Sequence, residues 1–274
     1  MPSPADERGM KKALAGILFG LLVATAALAK PGTSKNLGKK EWPVVNGVTT
    51  IGNKLYVASG LTLLVVDATG KSTDLYPNGA PDWGGNLEML TTLDGKIYML
   101  GNGTLFRIDP KDGKETKLSE DYRYPGGMAG LAGSLYIASD YRLWKVDPKT
   151  GGYKKFTDRD WNNVHDIVAL DGKLYIVDGY ELTEVTLDGK YKSIGKFSGV
   201  GAMTAANGKL YLFINEPPAP GIHVVDKTGK DTVLPLPADW DGTTGVSGLA
   251  AMNGKLYLLM PFFSTTTLFT MDTK

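Results

Sequence analysis

Asp171-Gly172-Lys173-Leu174-Tyr175-Ile176-Val177 is the stretch on which the fold turns. A two-residue Asp-Gly signal of the type I′ kind leads into a run that is apolar at every position after Lys173, as in a strand packed on both faces. With the run 164–170 before it, apolar but for His165 and Asp166, the stretch reads as a tight hairpin. The same signature, Lys or Ser, then Leu or Ile, then Tyr, returns at Lys54-Leu55-Tyr56, Lys96-Ile97-Tyr98, Ser134-Leu135-Tyr136, Lys209-Leu210-Tyr211 and Lys255-Leu256-Tyr257. Its tyrosines recur every 36 to 46 residues. A period near 40 built of short β runs is that of a propeller blade, so the sequence predicts an all-β, six-bladed β-propeller of four-stranded blades.

Around each signature the punctuation repeats. First turns are Gly52-Asn53, Asp94-Gly95, Ala132-Gly133, Asn207-Gly208 and Asn253-Gly254. Later turns such as Asp112-Gly113-Lys114 and Thr228-Gly229-Lys230 follow a third strand that ends in aspartate: Asp67, Asp109, Asp147, Asp226 or Asp272. An aspartate there serves as acceptor for turn amides two residues on. The stretch Asp109-Pro110-Lys111-Asp112-Gly113 lacks the ligand spacing and terminal glutamate of a calcium loop.

The chain has 274 residues, 35 of them glycine and none cysteine, so no disulfide or thiol chemistry is available and stability must come from closing the ring. Lys11-Lys12, the apolar run 13–29 and Ala27-Leu28-Ala29 read as a secretory signal cleaved before Lys30, with Met10 an alternative start. The run is short for a membrane span. Residues 1–29 are therefore expected to be a signal peptide, 30–39 a flexible spacer and 40–274 the propeller, with a secreted or periplasmic location. Without Arg8, Lys11, Lys12, Asp6 and Glu7 the remainder holds 27 basic and 27 acidic residues, a balance that argues against nucleic acid or an anionic membrane as partner. The sixth blade ends after its third strand, so an N-terminal strand, expected at 40–45, must complete it and remove an open edge.

Residues shared by all six blades belong to the framework, and function must lie in the exceptions. The connections entering the blades carry an acidic-aromatic pair at Glu41-Trp42, Asp82-Trp83, Asp121-Tyr122, Asp160-Trp161 and Asp239-Trp240; only the connection at Phe197-Ser198-Gly199 lacks it. Two readings stand. The aromatics are wedges between blades, or they line the channel mouth with flat faces suited to a carbohydrate or other small amphiphile. On the second reading the ligand-binding set is Trp83, Asn86, Tyr122, Trp161, Asn162, Asn163 and Trp240, with a small molecule, a carbohydrate or an envelope protein as partner. Aligning the inner strands on the signature tyrosine sets Glu88 and His165-Asp166 against small residues at most equivalent positions. Glu88, His165 and Asp166 are the acid-base candidates, and Glu88, Asn162 and Asp166 the metal candidates should the channel hold one divalent cation. His223 reads as structural, and no serine stands in a nucleophile-elbow context. The pair Phe262-Phe263 in the last long loop offers a contact for an envelope scaffold.

The rhythm Gly-Lys-Leu-Tyr followed by Leu143-Trp144-Lys145-Val146-Asp147-Pro148-Lys149-Thr150-Gly151 resembles the gluconolactonase/regucalcin-like propellers, NHL-type repeats and quinoprotein-type repeats. The resemblance is at the level of the repeat and implies the fold. For the gluconolactonase-like group it further implies a metal-dependent hydrolase or lactonase with its metal in the channel, held by a Glu, two Asn and an Asp from separate blades. This chain has Val45-Asn46-Gly47 where that group carries Glu-Gly-Pro, and Glu88, Asn86, Asn162 and Asp166 come from two blades. The reading taken from the residues is a non-catalytic binding module, with the lactonase as its alternative.

Overall fold

The turn chemistry read from the sequence forms as expected. Asp94, Ala132, Asp171, Asn207 and Asn253 adopt φ between 49° and 53°, and the glycine after each adopts 70° to 75°, which is the left-handed pair of a type I′ turn. The computed structural model describes residues 34–42, 44–85, 87–217, 219–234, 236, 245–262 and 265–273. Within them are six separate four-stranded antiparallel sheets. Five run in chain order from an inner to an outer strand: 45–74, 87–119, 127–155, 164–196 and 200–234. In the sixth, Gly248–Met252, Lys255–Phe262 and Thr265–Asp272 are completed from the N-terminal side by Ser34–Lys40.

The clasp therefore lies earlier than the sequence suggested. Its register runs from Ser34 opposite Met271 to Lys40 opposite Thr266, so residues 34–39 belong to the ring and not to a spacer. The physical reason is Trp42. This side chain is 4% exposed and packs with Val45, Leu55, Val57 and Val66 of blade one and Tyr257, Leu259 and Leu268 of blade six. The chain must leave the outer strand before Trp42 to turn it into the joint, and Thr266 Oγ1 donates to the Trp42 carbonyl at 3.1 Å where it does so. The strand itself, Ser-Lys-Asn-Leu-Gly-Lys-Lys, is polar and mostly exposed. An outermost strand gains its place from backbone pairing, and its lysines discourage further pairing at the edge.

Six hydrophobic clusters form the core, one at each joint between neighbouring blades. Each signature tyrosine packs into the joint with the following blade; Tyr56, for instance, meets Leu90, Ile97 and Met99. Tyr257 packs with Leu55 and Val57 and so closes the ring. The hydroxyls add fastenings: Tyr98 donates to the Pro148 carbonyl at 3.3 Å and Tyr211 to that of Thr273 at 3.1 Å. Blades three and four approach so closely that a Cβ on Gly126 would lie 2.3 Å from the Val164 carbonyl oxygen. Four of the aspartates ending the third strands accept turn amides two residues on. Asp67 takes Thr69 N at 2.8 Å, Asp147 takes Lys149 N at 2.7 Å and Asp226 takes Thr228 N at 2.8 Å. Asp109 is bound in the same way, to Lys111 N at 3.0 Å and Lys96 Nζ at 2.5 Å.

Candidate functional site at the channel mouth

The six inner strands wall a central cavity of about 380 Å³. At its mouth the pairing of the inner with the second strand shifts register in four blades, between Val45 and Gly47, Leu87 and Met89, Val164 and Asp166, and Val200 and Ala202. The extra residues are Asn46, Glu88, His165 and Gly201. A bulge releases one residue from strand alternation and re-aims its side chain. The positions that break the small-residue rule, Glu88 and His165, are thus both bulge residues. Blade three lies between them and at the matching positions carries Gly126 and Gly127, which have no side chain to offer.

Asp166 follows the bulge of blade four. Its Oδ1 accepts the Ile167 amide at 2.8 Å, and its Oδ2 reaches across the joint to the Met203 amide of blade five at 2.8 Å. Enclosure of the carboxyl raises its pKa to about 7 against the opposing pull of those two amides. Both oxygens are spent on backbone, so the group fastens two blades together.

Glu88 is placed differently. Burial raises its pKa, partly offset by the Gly103 amide, and its Oε2 is buried with no hydrogen-bond partner among the described residues. His165 is exposed, with Nε2 3.2 Å from Asn163 Nδ2. Asn163 is held in turn: Asp178 Oδ1 accepts its backbone amide at 2.8 Å, and Asp178 Oδ2 accepts from Arg159 at 3.0 Å. The Arg159 guanidinium also pairs with Glu181 at 2.9 Å and stacks 4.5 Å above the Trp161 ring. Asn162 is exposed beside this group. Among the described residues no three His, Cys, Asp or Glu side chains gather closely enough to hold a metal ion, so Glu88 and Asp166 are not joined by a third such ligand.

The acidic-aromatic pairs resolve in favour of wedges. Trp83, Tyr122 and Trp161 are 3%, 5% and 2% exposed and sit in successive joints. Their faces, offered to a ligand by the sequence, are covered by protein. The Trp83 indole donates to the Leu61 carbonyl at 2.9 Å and that of Trp161 to Thr157 Oγ1 at 2.8 Å. Asp82 caps the turn at Gly84 N, 2.9 Å away. Phe197, from the one connection without the pair, fills the same place in the joint between blades four and five. Asn86 and Trp240 lie outside the described residues, as do Phe263 and the side chain of Phe262.

What the mouth face exposes instead is a set of tyrosines that sequence alignment passed over. Tyr124, Tyr141 and Tyr180 are 80%, 56% and 68% exposed. They stand where connections and second-to-third-strand loops meet: Asp140 N bonds to the Arg123 carbonyl, Trp161 N to that of Tyr141 and Phe197 N to that of Tyr180. Tyr124 and Tyr141 hold φ of 49° and 60°, a conformation unusual for a bulky side chain and associated with functional loops. A signal was available. Tyr141 occupies the loop position that is Gly103 in blade two, where a left-handed residue favours glycine. His223, by contrast, is buried in blade five, Nδ1 2.6 Å from Asp231 Oδ2 and Nε2 2.8 Å from the Ala219 carbonyl. Two acceptors call for two ring protons. Although burial opposes the charge, the carboxylate and carbonyl raise its pKa.

No family model matches the chain, and no curated protein matches it significantly in sequence. Among solved structures it is similar to selenomethionine-substituted virginiamycin B lyase from Staphylococcus aureus, with TM-score 0.60 and 14% identity over 88% of this chain and 99% of that one. It is also similar to the calcium-binding protein regucalcin from Agrobacterium tumefaciens, with TM-score 0.61 and 16% identity over 90% and 96%. A chain of a nidogen/laminin complex gives TM-score 0.59 and 14% identity over 72% and 81%. Identities this low carry the fold and no activity: the chain is a six-bladed β-propeller.

Proposed function

We propose that the protein is an exported, non-catalytic binding module that takes a small, partly apolar ligand at the channel mouth of blades three and four. The observation that carries the reading is the exposure of Tyr124, Tyr141 and Tyr180 on adjoining loops, beside Asn162, Asn163 and His165. Exposed aromatic faces next to amides and an imidazole bind the apolar and polar sides of one small molecule. The distribution of ionisable groups favours binding over catalysis. Glu88 stands on blade two, Asp166 is committed to two backbone amides, and Gly126 and Gly127 separate them. Export accords with the position of the clasp, since cleavage before Lys30 leaves Ser34–Lys40 whole.

Saturation-transfer NMR with a fragment set of neutral sugars and small aromatics tests the reading. At least one fragment should bind the wild type, be lost from the triple variant Tyr124→Ala/Tyr141→Ala/Tyr180→Ala, and persist in Tyr153→Ala, whose exposed ring lies on an outer strand. Binding that survives the triple variant, or no binding at all, would sink it.

A further inference from the structure

Beside the mouth, a cavity of about 420 Å³ opens between blades two and three. Its wall includes Glu88, Glu120, Asp121, Arg123 and Tyr124. Glu88 lines both this cavity and the channel. Glu120 is engaged by Lys117. Glu88 and Asp121 then still outnumber Arg123, so the cavity favours positive charge. Glu88 Oε2 is covered and unpartnered among the described residues, and a carboxylate so placed costs free energy that a positive charge brought into the cavity offsets through space. Tyr124, at the rim, presents an exposed ring, and aromatic faces attract cations.

We infer that this cavity receives an ammonium group of the ligand, with Glu88 as counter-charge and the Tyr124 ring as its apolar wall. The inference rests on the mouth reading above and narrows the ligand class to amines and quaternary ammonium compounds. A cation near Glu88 meets a carboxyl with one oxygen unpartnered among the described residues, whereas both oxygens of Asp166 are held by backbone amides. A neutral ligand of equal shape would bring Glu88 no opposite charge.

Choline and its uncharged carbon isostere 3,3-dimethylbutan-1-ol are the probes, titrated by calorimetry into the whole protein. Choline should bind the wild type at least ten-fold more tightly than the isostere. Glu88→Gln should weaken choline at least ten-fold while keeping the wild-type melting temperature or raising it, and Tyr124→Ala should weaken it roughly two- to five-fold. Equal binding of the two probes, no binding of choline, or choline binding unchanged in Glu88→Gln would overturn the inference. If a neutral fragment is lost in the tyrosine triple variant but not in Glu88→Gln, the inference falls and the mouth reading stands. If no fragment and no ammonium probe binds, both fall.

Discussion

Replacing Asp166 by asparagine should change how stability depends on pH more than it changes stability itself. Folding raises the Asp166 pKa from 3.8 to about 7. The native state therefore holds a proton that the unfolded chain has already released. The corresponding stability is fully present below the unfolded value and is lost as pH rises through the folded one. A shift of about 3 units corresponds to about 4 kcal/mol as an upper bound, of which about 3 kcal/mol falls between pH 5 and pH 8. The asparagine side chain cannot ionise, so the Asp166→Asn variant lacks this slope. It also presents an NH₂ group to one of the two amides that the carboxylate accepts, which costs about 1–3 kcal/mol at every pH. The variant should be less stable than the wild type at pH 5 and should equal or overtake it at pH 8. Urea unfolding followed by tryptophan fluorescence at pH 5, 6, 7 and 8 measures both curves. Glu88 and His223, whose pKa values are also raised, impose slopes of the same sign on both proteins and cancel in the difference. Parallel curves, differing by a constant to within about 0.5 kcal/mol, would show that Asp166 does not take up a proton on folding.

His223→Gln should destabilise by about 1–3 kcal/mol at pH 6, with the loss shrinking at pH 9. The imidazolium bound to Asp231 contributes below the unfolded pKa of 6.5 and fades as pH passes the raised folded value; thermal melts at the two pH values measure this. Ala132, at φ 49° in a turn where four other blades carry Asp or Asn, should gain roughly 1 kcal/mol on Ala132→Asn, read as a higher urea midpoint. Deleting 34–40 uncovers the third strand of blade six, and the product should self-associate in light scattering where the intact chain does not. Mass spectrometry of the exported protein should return a chain beginning at Lys30; an intact 1–29 would refute export by cleavage.

Much of the ring was legible because its chemistry is local. An Asp-Gly or Asn-Gly pair needs only its own backbone to form a type I′ turn, and a run such as Leu174-Tyr175-Ile176-Val177 announces burial on both faces without reference to its neighbours. The Leu/Ile-Tyr signature could be counted for the same reason, and six signatures became six joints. The candidate site was less legible. Glu88 and His165 could be singled out as exceptions, yet that they occupy bulges follows from strand register, which depends on the partner strand. The aromatic pairs stayed open between two readings because the residue types that wedge a joint also line a ligand site, and only packing tells them apart.

By itself, then, the sequence determined the blade count, the turns, the framework tyrosines and the need for an N-terminal strand, all encoded in residues near one another in the chain. The tertiary structure decided which N-terminal residues form that strand, because Trp42 competes for a place in the joint 226 residues from Leu268. It decided that Trp83, Tyr122 and Trp161 are covered while Tyr124, Tyr141 and Tyr180 are bare. It also decided that Asp166 is spent on Met203, 37 residues away, whereas one oxygen of Glu88 is left over. Burial and hydrogen-bond partnership depend on what the rest of the ring brings to a residue, and a repeat pattern read along the chain carries no record of that.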